Sequence, residues 1–332
     1  MDESDSTAHP SATTVRRPLW TLSARLLTGL IFTGALLHLT LRDRVPYLAT
    51  LAYALPMPVL LGLTICRLVC ARVLRRFIAV WCMLVLVLAG WTASATLAWH
   101  ATPRATSTAR ETIRVVCWNA GRNRSPWRPE FAETIDRLQP DVVAIIEAGG
   151  DLPALRAFFT QHCPDLEVSC LRTGLVCLTR GRAGEGSLFS LAGAGACGQL
   201  TVNVRGNEVE LLVVDINSTP IMFRAGPLGV LTDHADELRD RPTIVLGDFN
   251  TPHDSVHLNA LRTHHRHAFE TAGQGYAGTW PVPLPVLNLD QIWTNQWVQP
   301  DSCQHVWTSL SDHRLVVADV TIVPPAQAAP SE

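Results

Sequence analysis

The sequence predicts an α/β fold, a two-layer β-sandwich flanked by helices, that is preceded by three transmembrane helices. Two observations lead to this prediction. The first 99 residues contain three long stretches that are almost free of charge, whereas the rest of the chain alternates short apolar runs with helical and turn-forming segments. In addition, several of the short runs end directly in an acidic, amide or imidazole side chain. Functional side chains of α/β folds collect on loops at one edge of the sheet, so we expect a site there.

The three apolar stretches cover about residues 19–41, 45–66 and 77–99. At about 1.5 Å per residue, a helix over the third stretch would be roughly 35 Å long, which exceeds a bilayer core of about 30 Å. The second stretch contains three prolines and is expected to be the least regular. Buried helices of a soluble domain are the alternative, but core helices are rarely as long and as uncharged as these.

The placement of arginine predicts the orientation of the spans. Arginines precede the first span and separate the second from the third: Arg16, Arg17, Arg67, Arg72, Arg75 and Arg76. The positive-inside rule therefore places the N-terminus and the second loop in the cytoplasm and everything after residue 99 outside. The predicted localisation is the cell membrane, with several passes and an extracytoplasmic domain. Arg16 and Arg17 also fit a twin-arginine export signal, which the following Pro18 and two further spans disfavour.

Composition predicts the remaining boundaries. We expect a disordered cytoplasmic N-terminus over 1–18, a membrane region over 19–99, a linker over 100–112, an extracytoplasmic catalytic domain over 113–323 and a disordered tail over 324–332. Within the domain, apolar residues at helical spacing predict a helix over 129–138, and a second helix is expected over 227–238. Alternating apolar residues on both sides of Gly206-Asn207 predict a hairpin over 200–216.

The charge balance differs between the two parts of the chain. The first 99 residues carry nine arginines against four acids, whereas the rest carries 18 arginines against 25 acids, a formal charge of −7. Proteins that bind nucleic acid usually neutralise its phosphates with basic patches, so the acidic domain disfavours a nucleic-acid partner. The same balance favours a domain that gathers divalent cations.

Four predicted strands lie next to polar side chains that suit phosphoryl transfer. Asn119 follows the strand over 114–118, Glu147 follows the strand over 141–146, Gly247-Asp248-Phe249-Asn250 follows the strand over 243–246, and Ser311-Asp312-His313 precedes the strand over 314–318. Carboxylates and amides of this kind hold divalent cations and orient water for attack on phosphorus. The pattern predicts a metal-assisted phosphoryl-transfer site.

Five short motifs occur in the order that is typical of one enzyme superfamily. They are Cys117-Trp118-Asn119, Ile145-Ile146-Glu147, Gly247-Asp248-Phe249-Asn250, Leu289-Asp290-Gln291-Ile292 and Ser311-Asp312-His313. On these motifs the chain resembles, over about residues 112–322, the endonuclease/exonuclease/phosphatase superfamily, the group of pancreatic deoxyribonuclease. The resemblance implies a deoxyribonuclease-like fold. The three spans and Gly278-Thr279-Trp280-Pro281 make the chain similar to the bacterial membrane-anchored branch, and within it to actinomycete membrane proteins linked to teicoplanin resistance.

The metal site is expected to centre on Glu147. A hard carboxylate oxygen suits Mg²⁺, or Mn²⁺ in its place, and Mg²⁺ typically takes only one or two carboxylates and keeps several waters. The resemblance implies that Asn119 and Asp312 complete this site or support it.

The catalytic groups are expected to be Asp248, Asn250, His313 and Asp290. Asp248 would orient and deprotonate the attacking water, while the amide of Asn250 would hold a phosphate oxygen. His313, paired with Asp290, would face the phosphate as an imidazolium whose charge the carboxylate supports.

One position departs from the pattern of the superfamily. Its members commonly carry a histidine on the strand before the Gly-Asp-x-Asn strand, and Asp215 stands at that place in this sequence. A carboxylate donates to phosphate only when it is protonated. Asp215 is therefore expected to bind metal, or Asn217 to take over the phosphate contact, and the leaving-group acid stays open.

Three further groups of residues allow two interpretations each. The histidines are either a metal cluster or ordinary loop residues: His253, His257, His264, His265 and His267. Cys163 with Cys170, or Cys177 with Cys197, could form disulfides outside the cell, or these cysteines are small apolar core residues. Trp280 and Tyr276 line a lipid-facing or substrate-facing edge or pack under a proline-rich loop.

The predicted function is a membrane-anchored, extracytoplasmic, Mg²⁺-dependent hydrolase of phosphoric esters or anhydrides. Its expected substrate is a lipid-linked phosphate or pyrophosphate of cell-wall synthesis, and the resemblance implies a contribution to glycopeptide (teicoplanin) resistance. A cell-surface endonuclease or phosphodiesterase is the first alternative. A non-catalytic binding protein is the second, and it is disfavoured because all five principal residues are present: Glu147, Asp248, Asn250, Asp290 and His313.

Overall fold

The computed structural model of the chain describes residues 12–100, 112–121, 128–149, 151–171 and 174–323. Most of the predicted linker and the predicted tail lie outside the described residues. The chain divides into two compact units, one formed by Met1–Arg42 and Ala54–Ala95 and the other by Asp43–Tyr53 and Thr96–Glu332. The first unit contains the long apolar helices and the second contains both β-sheets.

The helices are α1 (Ala12–Leu39), α2 (Leu48–Ala54), α3 (Met57–Leu74), α4 (Ile78–Thr96), α5 (Pro129–Leu138), α6 (Leu152–His162), α7 (Ala225–Glu237) and α8 (Ala268–Ala272). The strands are β1 (Leu97–Trp99), β2 (Thr112–Asn119), β3 (Val142–Ile146), β4 (Glu167–Cys170), β5 (Val176–Thr179), β6 (Gly181–Ala183), β7 (Ser187–Ser190), β8 (Gly195–Val204), β9 (Asn207–Ile216), β10 (Thr243–Asp248), β11 (His265–His267), β12 (Gly273–Tyr276), β13 (Asp290–Asn295), β14 (Val298–Val306) and β15 (Leu315–Ile322).

Three helices are long and apolar enough to cross a membrane: Leu19–Leu39, Met57–Leu74 and Ile78–Thr96. This agrees with the predicted number. The second begins at Met57, not at residue 45, because the prolines before it end the regular helix and leave the short helix α2 in between. The first helix also starts at Ala12, inside the stretch 1–18 that the sequence predicts to be disordered.

The helix α3 ends at Leu74, eight residues later than the predicted second span. Arg67 and Arg72 were expected in the loop between the second and third spans, but both lie inside α3, with Arg72 in its last turn. Nε of Arg67 donates to Oγ1 of Thr28 at 2.9 Å, and its guanidinium lies 4.3 Å from the ring centroid of Trp81. The hydrogen bond and the cation–π contact account for a charge at this depth of an apolar helix. Arg75 and Arg76 follow the end of the helix, as expected.

The second unit contains two mixed sheets. One has eight strands in the order β1-β12-β14-β15-β2-β3-β5-β4, and the other has seven, in the order β11-β13-β10-β9-β8-β6 with β7 also paired to β8. The helix over 129–138 and the hairpin of β8 and β9 agree with the predictions, and α7 lies within two residues of its predicted bounds.

Alternation along the strands divides the apolar side chains between the layers. In β2, Val115 and Cys117 belong to the core between the two sheets, whereas Val116 and Trp118 face α5 and α6. On the other sheet, α7 covers the outer face through side chains such as Leu231. Because successive strand residues point to opposite faces, a strand that is buried on both faces appears as a continuous apolar run. The predicted β-sandwich flanked by helices is confirmed.

All nine cysteines lie among the described residues, and all of them are free thiols. Cys117, Cys177, Cys197 and Cys303 are buried, and burial raises the pKa of each thiol. Of the two interpretations of the domain cysteines, the structure has that of small apolar core residues, with no disulfide.

Candidate active site

Three carboxylates lie side by side across the seven-stranded sheet. Asp248, the last residue of β10, is the register partner of Asp215 on the parallel strand β9 and of Asp290 on the antiparallel strand β13. Asp248 and Asp290 are buried. Burial, together with the neighbouring charge of Asp290, raises the pKa of Asp248. The sheet therefore places a carboxyl group with increased proton affinity at its carboxyl edge.

Two asparagines fix the orientation of the Asp248 carboxylate. Nδ2 of Asn119, from the other sheet, donates to Oδ2 of Asp248 at 2.8 Å. The backbone N–H of Asn250 donates to Oδ1 at 2.8 Å, and its Nδ2 donates to Oδ2 at 3.0 Å and to the carbonyl oxygen of Ile216 at 2.7 Å. In this arrangement both amide hydrogens of Asn250 are engaged within the protein. The structure thus gives Asn250 a role in orienting Asp248, while its predicted contact with phosphate stays a prediction.

Asp290 and His313 form a hydrogen-bonded pair. Nδ1 of His313 donates to Oδ2 of Asp290 at 2.8 Å. Burial alone would lower the pKa of His313, but the charge and the hydrogen bond of Asp290 raise it to about 9. The imidazole therefore carries a proton at neutral pH, and Nε2 is the nitrogen that stays available for a substrate.

Hydroxyl groups hold this pair in place. Oγ1 of Thr279 accepts from the backbone N–H groups of Leu289 and Asp290, at 3.0 and 3.2 Å. Oγ of Ser311 donates to the carbonyl oxygen of Asn119 at 2.7 Å and accepts from the backbone N–H of His313 at 3.0 Å. Ser311 thereby joins the strand end that carries Asn119 to the loop that carries His313.

Among the described residues, one group of acids and histidines has ligand atoms close enough together for a metal ion. Asp248, Asp290 and His313 offer atoms that all lie within 4.8 Å of one another. A protonated imidazole has no lone pair to give to a metal, and His313 keeps its proton through Asp290. In its protonated form His313 therefore suits proton and charge chemistry, and the metal site on Glu147, Asn119 and Asp312 stays a prediction.

The predicted metal ligands lie at the carboxyl ends of β2 and β3 and in front of β15. Glu147 follows β3 with a left-handed backbone (φ 56°) and is half-buried. Asn119 pairs in register with Ile146, the residue before Glu147. The N–H of Ala120 also donates to the carbonyl oxygen of Ile146, at 2.8 Å. These two ligands are therefore close along adjacent strand ends.

Asp312 completes this edge next to a required glycine. Gly121 has φ +69°, and a Cβ there would lie 2.7 Å from Oδ1 of Asp312. The missing side chain leaves room beside the carboxylate of Asp312. Oxygen atoms of Asp312, Glu147 and Asn119 are of the kind that Mg²⁺ prefers, but Oδ1 of Asn119 already accepts from the N–H of Gly121 at 2.8 Å. Oδ2 of Asp312 accepts from Nε1 of Trp280 at 3.4 Å. Trp280 thus contacts a predicted ligand, while a lipid-facing or substrate-facing role stays a prediction. Tyr276 donates through its hydroxyl to the carbonyl oxygen of Pro285 at 2.7 Å, which agrees with packing against the proline-rich loop.

The segment after β9 contains the remaining predicted residues. Asp215 is half-buried in the carboxylate row, and its charge raises the pKa of Asp248 further. Oδ1 of the exposed Asn217 accepts from the N–H of Thr219 at 2.9 Å and from its hydroxyl at 2.8 Å, which makes a side-chain-stabilised turn.

One cation in this region was not predicted from the sequence. Arg224 is buried and donates through Nη1 to the carbonyl oxygen of Asn217 at 2.8 Å. Burial lowers its pKa, and the nearby Tyr53 and Asp248 oppose that effect. A single arginine before a helix gives no signal in the sequence, because its position relative to Asp248 depends on the packing of distant segments.

The histidines singled out in the sequence do not form a metal site among the described residues. They are also not uniformly exposed: His265 and His267 are the first and last residues of β11, both are buried, and burial lowers their pKa values. His253 stacks on His267 with ring centroids 5.6 Å apart. These two buried histidines are neutral core residues.

Known structures share this fold. An endonuclease/exonuclease/phosphatase from Bacteroides vulgatus is 16% identical, with 64% of this chain and 100% of that chain covered and a TM-score of 0.53. A humanised TDP2 of D. rerio is 16% identical, with 63% and 99% covered and a TM-score of 0.53. A mannosyl-6-phosphatase of Bacteroides thetaiotaomicron is 12% identical, with 63% and 100% covered and a TM-score of 0.53. At such low identity these likenesses establish the fold alone.

No curated protein matches the sequence. A family model, described as the endonuclease/exonuclease/phosphatase family, matches residues 116–313, which include every predicted site residue. This match spans more than half of the chain, from the second sheet strand to the Asp290–His313 pair, and the protein therefore belongs to the endonuclease/exonuclease/phosphatase family.

Proposed function

We propose that this chain is a membrane-anchored, extracytoplasmic phosphohydrolase that requires Mg²⁺ or Mn²⁺ and acts on a lipid-linked phosphate or pyrophosphate of cell-wall synthesis. In this role it contributes to glycopeptide (teicoplanin) resistance. The observation that carries the hydrolytic part is the buried Asp248, which is held by Asn119 and Asn250 next to the Asp290–His313 pair.

Asp248 is the base for the attacking water. Because its pKa is raised, Asp248 has a higher affinity for the proton that water must lose. Because its carboxylate is held in a fixed orientation, water meets it from one direction. The oxygen of that water forms the new bond to phosphorus, and its proton moves to the carboxylate. The bond between phosphorus and the leaving oxygen breaks on the opposite side.

His313 stabilises the negative charge that develops on the phosphate. Its proton is held by Asp290, so a positive charge and an Nε2–H donor are already present before the substrate binds. Preorganised donors of this kind stabilise a transition state by several kcal/mol, on the order of 10²- to 10³-fold in rate for one donor.

Asn119, Glu147 and Asp312 would hold the divalent cation. When bound there, the cation supplies positive charge to a non-bridging phosphate oxygen. The supporting observations are the register of β2 with β3 and the space that Gly121 leaves beside Asp312.

The membrane location is supported by the path of the chain. Residues 43–53 and 96–323 belong to one compact unit, and two helices that could each cross a membrane lie between them, Met57–Leu74 and Ile78–Thr96. Two crossings return the chain to the side from which it left. Arg75 and Arg76, between these helices, lie on the opposite side, which the positive-inside rule makes the cytoplasm.

The substrate class follows from this location. A site that is tethered to the outer face of the membrane meets phosphates that are carried by lipids, and the domain's formal charge of −7 disfavours nucleic acid. A surface nuclease or phosphodiesterase is the second candidate, because a structural neighbour, TDP2 of D. rerio, is described in complex with a single-stranded DNA product. The mannosyl-6-phosphatase neighbour is in keeping with phosphate-ester hydrolysis.

One experiment separates these functions. The full-length protein in detergent is given polyprenyl pyrophosphate, polyprenyl phosphate, a phospholipid diester and single-stranded DNA with Mg²⁺, and released phosphate or cleaved product is measured. We expect release from the polyprenyl substrates and none from the Asp248→Asn variant. Cleavage of DNA with no turnover of lipid phosphates would replace the proposal by the nuclease.

A further inference from the structure

The connection between the first two apolar helices is part of the compact unit that carries the active site. Residues Asp43–Tyr53 cluster with the sheets and not with the helices on either side of them. They include the short helix α2, whose Ala49 and Ala52 are buried. Residues 45–53 were predicted to belong to the second span, and Asp43 and Arg44 to the loop before it; in the structure they all belong to the unit of the sheets.

Asp43 is the centre of this packing. It is 2% exposed, yet it carries a carboxylate. Its Oδ1 accepts from the N–H of Val256 at 3.0 Å, and its Oδ2 accepts from the hydroxyl of Tyr53 at 2.7 Å and from the hydroxyl of Ser255. Burial would raise the pKa of Asp43, but these hydrogen bonds outweigh it and keep the group ionised. A buried charge with this many donors indicates a specific docking.

Two additional contacts extend the docking. Nε2 of His257 lies 2.9 Å from the carbonyl oxygen of Asp43, and the ring of His257 meets that of Phe223 edge to face with centroids 4.8 Å apart. The hydroxyl of Thr50 donates to the carbonyl oxygen of Pro220 at 2.8 Å. The connection therefore holds two separate segments of the domain, 220–223 and 255–257.

Both of these segments follow directly from active-site strands. Residues 220–223 continue the turn after β9 that begins at Asn217, and residues 255–257 continue the loop after Asp248 and Asn250. Arg224 lies near both Tyr53 of the connection and Asp248 of the active site. It also donates to the carbonyl oxygens of Asn217 and Thr219, at 2.8 and 3.4 Å.

We propose that the connection Asp43–Tyr53 is a positioning element of the active site, in which Asp43 fixes the loops that carry Asn217 and Asn250 and thereby the geometry around Asp248. The protein then reaches full activity only while this connection is docked. The proposal concerns the same site as the proposed function and rests on it for the reaction that is measured.

The test uses full-length protein in detergent, with wild type, Asp43→Ala, Asp43→Asn and Tyr53→Phe. Asp141→Ala is the matched control. Asp141 is also buried, and it accepts from the N–H of Arg114 at 2.8 Å and from Nε of Arg205 at 3.0 Å, but it precedes β3 at the end of the strand opposite Glu147. Loss of either buried aspartate leaves its donors without their acceptor, so a general loss of stability appears in both.

Two quantities are measured. For Asp43→Ala we expect kcat to fall by about tenfold to a hundredfold with KM changed by less than about twofold, as is typical when a supporting group of a site is lost. Asp43→Asn keeps one acceptor and should recover part of kcat, and Tyr53→Phe should show a smaller loss than Asp43→Ala. Asp141→Ala should keep kcat in the fraction that remains folded.

Hydrogen exchange decides the inference without any substrate. In Asp43→Ala, amides of 217–224 and 250–257 should exchange faster while those of β9 and β10 stay protected, and Asp141→Ala should leave the two loops unchanged. Unchanged exchange of these loops, or an equal loss of kcat in Asp43→Ala and Asp141→Ala, would overturn the proposal. If the wild type hydrolyses no substrate but the loops respond to Asp43→Ala, the proposed function fails and the docking survives.

Discussion

His313 donates a hydrogen bond to Asp290 across 2.8 Å, although Asp290 lies in one sheet and His313 lies beside a strand of the other. Asp290 begins β13 in the seven-stranded sheet, and His313 lies just before β15 in the eight-stranded sheet. The pair therefore forms only when the two layers have packed, and the protonated imidazole of the site depends on the complete sandwich.

The pair leads to a prediction of non-additivity. His313→Gln and Asp290→Asn should each lower kcat by about 10²- to 10³-fold, because each removes the preorganised positive charge from the phosphate site. The double variant should be scarcely slower than the slower single variant, since both act through one imidazolium. The rate of steady-state phosphate release is measured for wild type, both single variants and the double variant. Losses that multiply in the double variant would show that the two side chains act separately.

Asp248→Asn tests the base. The substitution keeps the shape of the side chain and removes the charge, so we expect hydrolysis to fall by about 10²- to 10⁴-fold with a folded protein. Asp319→Asn is the control, because Asp319 pairs with Arg114 at the opposite end of β2 and should be silent in turnover. Near-normal turnover of Asp248→Asn would contradict the mechanism. Thermal unfolding and membrane localisation confirm that each variant is intact.

The site could largely be predicted because its residues end apolar strands. Asp248, Glu147 and Asn119 each follow a buried run whose parallel neighbours bring their ends to one sheet edge. Local patterns could not place Arg224 or Asp43, since the contact between Asp43 and Val256 joins residues 213 positions apart. The start of the second apolar helix was also misplaced, because the apolar composition of residues 45–56 hid a break that prolines impose.

Metal dependence gives a third prediction. A chelator should abolish hydrolysis, and added Mg²⁺ or Mn²⁺ should restore it. Wild type should also gain thermal stability from the cation, because a ligand that binds the folded state stabilises it. Glu147→Gln should lose this gain at the same cation concentration while its stability without metal stays close to that of wild type. A cation-dependent shift in melting temperature that survives in Glu147→Gln would remove Glu147 from the ligand set.

The buried His265 predicts sensitivity to acid. Its two ring nitrogens have no hydrogen-bond partner among the described residues, and burial, with a smaller effect of His264, lowers its pKa from 6.5 to about 4. The pKa of His265 is lower in the folded state than in the unfolded state. The part of the free energy of unfolding that depends on neutral His265 is therefore fully present above pH 6.5 and is lost as the pH falls toward 4. The loss is at most about 3 kcal/mol.

His265→Leu should therefore move the acid midpoint of unfolding to lower pH and leave stability near pH 8 almost unchanged. The ring makes no hydrogen bond that leucine would break. The exposed His264, replaced in the same way, serves as the control and should shift the midpoint far less. Circular dichroism between pH 3 and pH 8 follows the transition. Equal midpoints for wild type and His265→Leu would show that other groups govern acid unfolding.

The last prediction concerns the side of the membrane on which the site lies. Residues 43–53 and the chain after Thr96 belong to one unit, and two helices that could cross a membrane lie between them. If both helices cross, we expect this unit on one side of the membrane and Arg75 and Arg76 on the other. A reporter that works only after export, fused after Glu332, should be active, and a cysteine-free variant with a single cysteine at Arg76 should be labelled only after the cells are opened. Replacing Arg72, Arg75 and Arg76 by glutamine should mix the two orientations, because these charges are expected to hold the loop in the cytoplasm.

If a reporter that needs the cytosol is active at the C-terminus, the outer-face substrate and the link to glycopeptide resistance both fall. Membership of the family would stand, and an intracellular nucleotide or nucleic acid would become the better substrate.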